Sequence, residues 1–128
     1  MEITTLNVQA RVPVTILRVK GDFDSQTYEA FDVVAWQAIL KGGTRDLIVN
    51  LTEVPYMTSA GLRSINSAYK LLHPVDPKGQ VAPGLGGAKS PHMKLVNPSP
   101  RVRQTLVMGG FDQLLEIYAT EQEALAAF

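Results

Sequence analysis

No cysteine occurs among the 128 residues. Its absence removes disulfides, thiolate metal sites and thiol nucleophiles together, and with them the small secreted scaffold held by cross-links. Histidine is almost as scarce: His73 and His92 are the only two, both in or beside a proline- and glycine-rich stretch. Two imidazoles without a thiolate make a poor ligand set for a transition metal, so neither a metal nor any other cofactor is expected. Charge of one sign is missing too, since twelve Lys and Arg balance twelve Asp and Glu. No summed field then draws the chain to nucleic acid or to an anionic membrane surface. No apolar run approaches the roughly 18 residues of a membrane span. The opening Met1-Glu2-Ile3-Thr4-Thr5-Leu6 has no basic stretch leading into an apolar one, so no export signal is read and a cytoplasmic location is expected. Catalytic signatures are lacking as well, with no phosphate loop between a strand and a helix, no G-x-S-x-G and no H-E-x-x-H. Gly84-Leu85-Gly86-Gly87 is glycine-rich but lies between no strand and helix, which argues against a nucleotide loop. Nothing in the sequence asks for an enzyme.

What is present is an ordinary globular composition, 45% hydrophobic and 19% charged, in a chain of single-domain length. Strand and helix patterns alternate. Val12 to Val19 is β-branched and apolar, ends at the Gly21-Asp22 turn, and is preceded by a weaker strand around Thr4 to Gln9. Ser25 to Lys41 repeats Tyr28, Phe31, Ala35, Ala38 and Ile39 at helical spacing and stops at Gly42-Gly43. Leu47 to Leu51 is a short apolar run of the kind buried on both faces of a parallel sheet. From Ser59 the spacing of Leu62, Ile65, Tyr69 and Leu72 predicts an amphipathic helix, with Arg63, Ser67 and Lys70 outward. His73 to Pro91 mixes prolines and glycines so densely that neither helix nor strand propagates, and it reads as a long mobile loop. Met93 to Asn97 is a strand; Ser99 caps a helix that begins at Pro100 and ends at Gly109-Gly110. Leu114 to Tyr118 is the last strand, and Thr120-Glu121-Gln122-Glu123 opens a terminal helix as a capping box. The order predicts one α/β domain over residues 1–128, a mostly parallel sheet of four to five strands covered by about four helices.

One segment stands apart, Val54-Pro55-Tyr56-Met57-Thr58-Ser59-Ala60-Gly61-Leu62-Arg63, running from the buried strand into the amphipathic helix. On its own, a Ser or Thr before a helix most often serves as an N-cap. The order Thr58-Ser59-Ala60-Gly61-Leu62 nevertheless resembles the signature of the STAS family, in the form found in bacterial anti-anti-sigma factors. The resemblance extends to Gly21-Asp22-Phe23-Asp24-Ser25-Gln26-Thr27, similar to the family's turn after the second strand. It extends also to Leu47–Leu51, Lys94–Asn97, Gly109-Gly110-Phe111 and Thr120–Ala124, and so to nearly the whole chain except residues 73–91.

The resemblance implies a STAS fold and a switch. Unphosphorylated, such a protein binds an anti-sigma factor that is also a serine protein kinase; phosphorylation of Ser59 releases it, and a serine phosphatase resets it. Asp24, Thr58, Ser59, Ala60, Gly61 and Arg63 would form the partner surface. The chain departs from the pattern at Thr58, where many phosphorylated members have aspartate, so Thr58 is an alternative site of modification. Two other readings stay open: a non-phosphorylated STAS scaffold subunit of a transporter or stress-signalling complex, and a small-molecule or nucleotide sensor. Helical geometry adds one more expectation, because Val33, Trp36 and Leu40 fall opposite the buried face of the first helix. They form either a patch for a partner or a homodimer, or one side of a helix covered twice.

Overall fold

The computed structural model describes residues 1–73 and 89–128. Five strands form one sheet in the order β1-β2-β3-β4-β5. β1 (Glu2–Gln9) and β2 (Pro13–Lys20) pair antiparallel from Glu2↔Lys20 to Gln9↔Pro13. β3 (Leu47–Glu53), β4 (Met93–Val96) and β5 (Glu116–Tyr118) then add in parallel. Each parallel step needs a crossover, and helices supply it. α1 (Tyr28–Trp36) runs into a π-helical turn, Gln37–Lys41, between β2 and β3. α2 (Ser59–Leu72) lies between β3 and β4. α3 (Pro100–Met108) and α4 (Phe111–Leu114) precede β5, and α5 (Glu121–Ala126) follows it.

The alternation of side chains along the strands divides the interior in two. Leu17, Val49 and Leu95 are in register and join Phe23, Phe31, Ile65, Val102, Leu106 and Phe111 in the larger core, beneath α1 to α4. Ile16 and Ile48, also in register, face the other way with Val14, Val96 and Ala124 of α5. Burying one such aliphatic side chain contributes about 1.5–3 kcal/mol, so the continuous runs in β2, β3 and β4 supply a large share of the driving force. Helix ends are set locally. Ser99 Oγ accepts from the Val102 N–H at 3.2 Å, with Pro100 in the first turn. Thr120 Oγ1 accepts from the Glu123 N–H at 3.1 Å.

The expected fold class holds, and the first helix and the last strand depart from the expectation. The first helix begins at Tyr28 rather than Ser25, because Asp24 to Thr27 closes a hydrogen-bonded turn first. Its last five residues widen into a π turn, with Gly42 N–H donating to Gln37 O. Leu114, read as strand, closes α4 instead: Gly110 takes a left-handed conformation at φ 79° and restarts the helix, leaving β5 only three residues. Most of the proline- and glycine-rich stretch, residues 74–88 including Gly84-Leu85-Gly86-Gly87, lies outside the described residues. Among the described residues no helix is long and apolar enough to cross a membrane.

Candidate functional site

The loops that follow β2 and β3 come together at the C-terminal edge of the sheet, where ligand and partner sites of open α/β sheets gather. Phe23 N–H donates to Tyr56 O at 3.1 Å, and Thr58 N–H donates to Phe23 O at 3.0 Å. The two bonds make a parallel bridge between Phe23 and Met57. Phe23 is fully buried and packs on Phe31 with ring centroids 4.9 Å apart. The polar residues flanking Phe23 and Met57 are therefore held on an anchored ridge rather than on two independent loops.

Asp24 is fixed on this ridge from both sides. Its Oδ1 accepts from the Gln26 N–H at 2.9 Å, and the Thr27 hydroxyl lies 3.2 Å from the same oxygen. Its Oδ2 faces the Tyr56 hydroxyl at 3.4 Å. Burial and the charges of Asp24 and Asp22 hold the Tyr56 phenol above its ordinary range. The Arg101 guanidinium from α3 lies 5.5 Å from the centre of the Tyr56 ring, within cation–π range.

Thr58 occupies the N-cap position of α2 with extended backbone, yet its side chain makes no capping bond. Its Oγ1 is buried without a hydrogen-bond partner among the described residues. Ser59, the first residue of the helix, is exposed. Its hydroxyl stands at the positive end of the helix dipole, where an anion is favoured by roughly 0.3–1 kcal/mol. Arg63, one turn on, is exposed as well. Ala60 and Gly61 are buried and have little surface to offer a partner directly. A Cβ on Gly61 would stand 2.8 Å from Phe23 O and 2.7 Å from Met57 Cγ, so this glycine lets α2 press against the bridged loops.

The residues assigned from sequence thus fall into three settings. Asp24, Thr58, Ser59 and Arg63 surround the start of α2, and Ala60 and Gly61 lie beneath it. Val33, Trp36 and Leu40 sit elsewhere, on α1 and the π turn, and are 50%, 43% and 66% exposed. The alternative of a helix covered on both sides does not describe this face, while its role as a contact surface is a separate question. His73 and His92 lie at the other end of α2, and no group of three or more His, Cys, Asp or Glu suited to a metal ion forms among the described residues. Tyr56 and Arg101 were not singled out from the sequence. Tyr56 lay within the quoted motif with no hydrogen-bonding partner legible, and Arg101 comes from an element some forty residues on, brought in only by the parallel crossover.

Residues 5–76 match the family model for the STAS domain. The chain belongs to the STAS domain family. It is 26% identical over 112 residues to an anti-sigma F factor antagonist of Paenibacillus polymyxa, a match covering 88% of this chain and 84% of that protein. Its fold is similar to a crystal structure described as a putative anti-sigma factor antagonist from Thermotoga maritima, with a TM-score of 0.74 and 20% identity over 97% of this chain and 92% of that one. It is similar also to the Bacillus cell fate determinant SpoIIAA in its phosphorylated form, with a TM-score of 0.65 and 22% identity over 98% of this chain and 97% of that one.

Proposed function

We propose that the protein is an anti-anti-sigma factor whose binding is switched by phosphorylation of Ser59. In its unphosphorylated form it docks an anti-sigma factor with serine kinase activity through the ridge of Asp24, Thr58, Ser59 and Arg63. Transfer of a phosphoryl group to Ser59 ends the complex, and a serine phosphatase restores it. A cytoplasmic location accompanies this reading. The observation that carries it is the exposed Ser59 hydroxyl on the first residue of a helix seated on a rigid ridge.

The same position explains why one modification can do two things. A phosphate there carries nearly two negative charges at neutral pH, which the helix N-terminus accommodates in the free protein. Within a water-excluding interface those charges lose their hydration, and Asp24 on the adjoining loop adds like-charge repulsion, so the complex is opposed.

A second reading has Thr58 in its favour. A buried hydroxyl, unpaired among the described residues, stands where family members with the switch often have a carboxylate, which suits a scaffold subunit that binds constitutively. Affinity capture from lysate of the source cells, with wild-type, Ser59→Ala and Ser59→Asp baits, separates the two. The switch predicts that wild type and Ser59→Ala retain an anti-sigma kinase and Ser59→Asp does not. Equal recovery of the same scaffold or transporter subunits by all three baits would contradict it.

A further inference from the structure

The far end of α2 carries a second constellation, built on His73. This residue follows the last turn of α2, is 6% exposed, and packs against Tyr69 with ring centroids 4.5 Å apart and the planes tilted by 43°. Its Nε2 lies 2.5 Å from Oγ of Ser90, which is fully buried. The same Oγ accepts from the His92 N–H and from the Met93 N–H, each at 3.0 Å. A hydroxyl oxygen has two lone pairs and one hydrogen. With both lone pairs taken by backbone donors, the hydrogen of Ser90 is left for His73. His73 Nε2 must then be an acceptor, and the ring is neutral with its proton on Nδ1.

We propose that His73 and Ser90 form an acid-sensitive latch that ties the C-terminal end of α2 to the start of β4. Protonation of His73 places a second hydrogen on the short line between Nε2 and Oγ. Ser90 must then turn its own hydrogen away and surrender one of the backbone N–H bonds that order the chain into β4. The surroundings make this proton costly. The His92 ring lies 5.3 Å from the His73 ring, and its Nδ1 is 3.0 Å from Asp46 Oδ1 on the segment leading into β3. Asp46 is thus engaged by His92, and Tyr69 presents its ring to His73. Among the described residues Lys70 on α2, Lys89 before Ser90 and Arg45 before β3 are cations of the flanking segments, and all three are exposed. Among the described residues no carboxylate pairs with His73. Burial first, and the charge of His92 second, hold His73 below its ordinary value of 6.5.

The sign follows. Below about 6.5 the unfolded chain takes up a proton that the native latch refuses, so acidification favours the open form. The latch holds α2 at the end opposite Ser59.

The test uses the full chain. Imidazole 15N shifts in wild type at neutral pH are expected to show His73 protonated at Nδ1 and titrating below 6.5. Amide exchange, corrected for intrinsic rates, is expected to accelerate on acidification at Tyr69 to Leu72 and at Met93 ahead of the rest of the sheet. His73→Gln, whose carbonyl can accept from Ser90 but cannot be protonated, is expected to show a smaller fall of its urea midpoint between pH 8 and about pH 5.5. A proton on Nε2 in wild type, or an equal fall in both proteins, would overturn the latch. The tautomer measurement decides the matter even if the variant does not fold.

Discussion

Helix propensity alone argues for replacing Gly61, since glycine inside a helix costs about 1 kcal/mol relative to alanine. Packing argues the other way, because the added methyl group would enter the space held by Phe23 O at 2.8 Å and Met57 Cγ at 2.7 Å. Backbone cannot yield as a flexible side chain can, and overpacking costs typically 1–3 kcal/mol. The steric effect wins, and Gly61→Ala is expected to lower stability by up to about 2 kcal/mol net, as urea denaturation would show. Thr58 supplies the complementary case. Its buried hydroxyl has no partner among the described residues, so Thr58→Val is expected to leave stability unchanged or slightly raised. Ser99→Ala, which deletes a made cap, is expected to cost about 1 kcal/mol. Equal losses for the two variants would mean that Thr58 caps α2 in solution. The sequence could name Gly61 and Thr58 but not these roles. A glycine required by a neighbouring carbonyl and a threonine at an N-cap that does not cap look the same in one dimension as an indifferent glycine and an ordinary cap.

At the scale of elements, α5 shows how a short helix is held. Six residues contribute one buried side chain, Ala124, too little apolar contact to fix a helix by itself. Glu121 adds a polar clamp across the sheet face, receiving Arg18 Nε and Nη2 at 2.8 Å each and Asn50 Nδ2 at 2.7 Å. The Arg18 guanidinium, assisted by Asn50 and opposed by burial, holds the Glu121 carboxyl below its ordinary value of 4.5. A carboxylate with a depressed value in the native state stabilises it above about pH 4.5, and that contribution fades as pH falls through the native value. Glu121→Gln is therefore expected to flatten the acid loss of stability, read as urea midpoints at pH 7 and near pH 3.5. The effect is modest because the pair is partly exposed. An acid profile unchanged by the substitution would remove Glu121 from the account.

Beyond Phe128 and Tyr118, the same face contains Lys94, buried with its Nζ 4.8 Å from the Phe128 ring centre and 3.8 Å from Glu116 Oε1. Elements with strong periodicity or punctuation were legible in the chain: α2, the β-branched β2, and α3 between Ser99 and Gly109. The ones misread were set by other segments. Leu114 belongs to α4 because Gly110 restarts the helix, and the first helix starts late because Asp24 to Thr27 closes a turn ahead of it.

For the whole molecule, the two ends of α2 have different tasks. Its N-terminus stands on a ridge stitched by the Phe23–Met57 bridge, and its C-terminus is tied through His73 and Ser90. The Asp24–Tyr56–Arg101 cluster assembles from three crossovers, which is why its members could not be joined from local motifs. At Ser59 the effects of charge on stability and on binding separate. A negative charge at the first helical residue is expected to leave the free protein as stable or to stabilise it by roughly 0.3–1 kcal/mol. The same charge is expected to weaken partner binding by a factor of 100 or more, on the order of 3 kcal/mol for an unpaired charge taken into an interface.

The most direct measurement is calorimetric titration of the captured anti-sigma kinase with wild-type protein, the Ser59-phosphorylated protein and Ser59→Ala, each checked for equal folding by urea denaturation. A switch at Ser59 requires tight binding by wild type and Ser59→Ala, and loss of binding by a fully folded phosphoprotein. Equal affinity of the phosphorylated and unphosphorylated forms would contradict it.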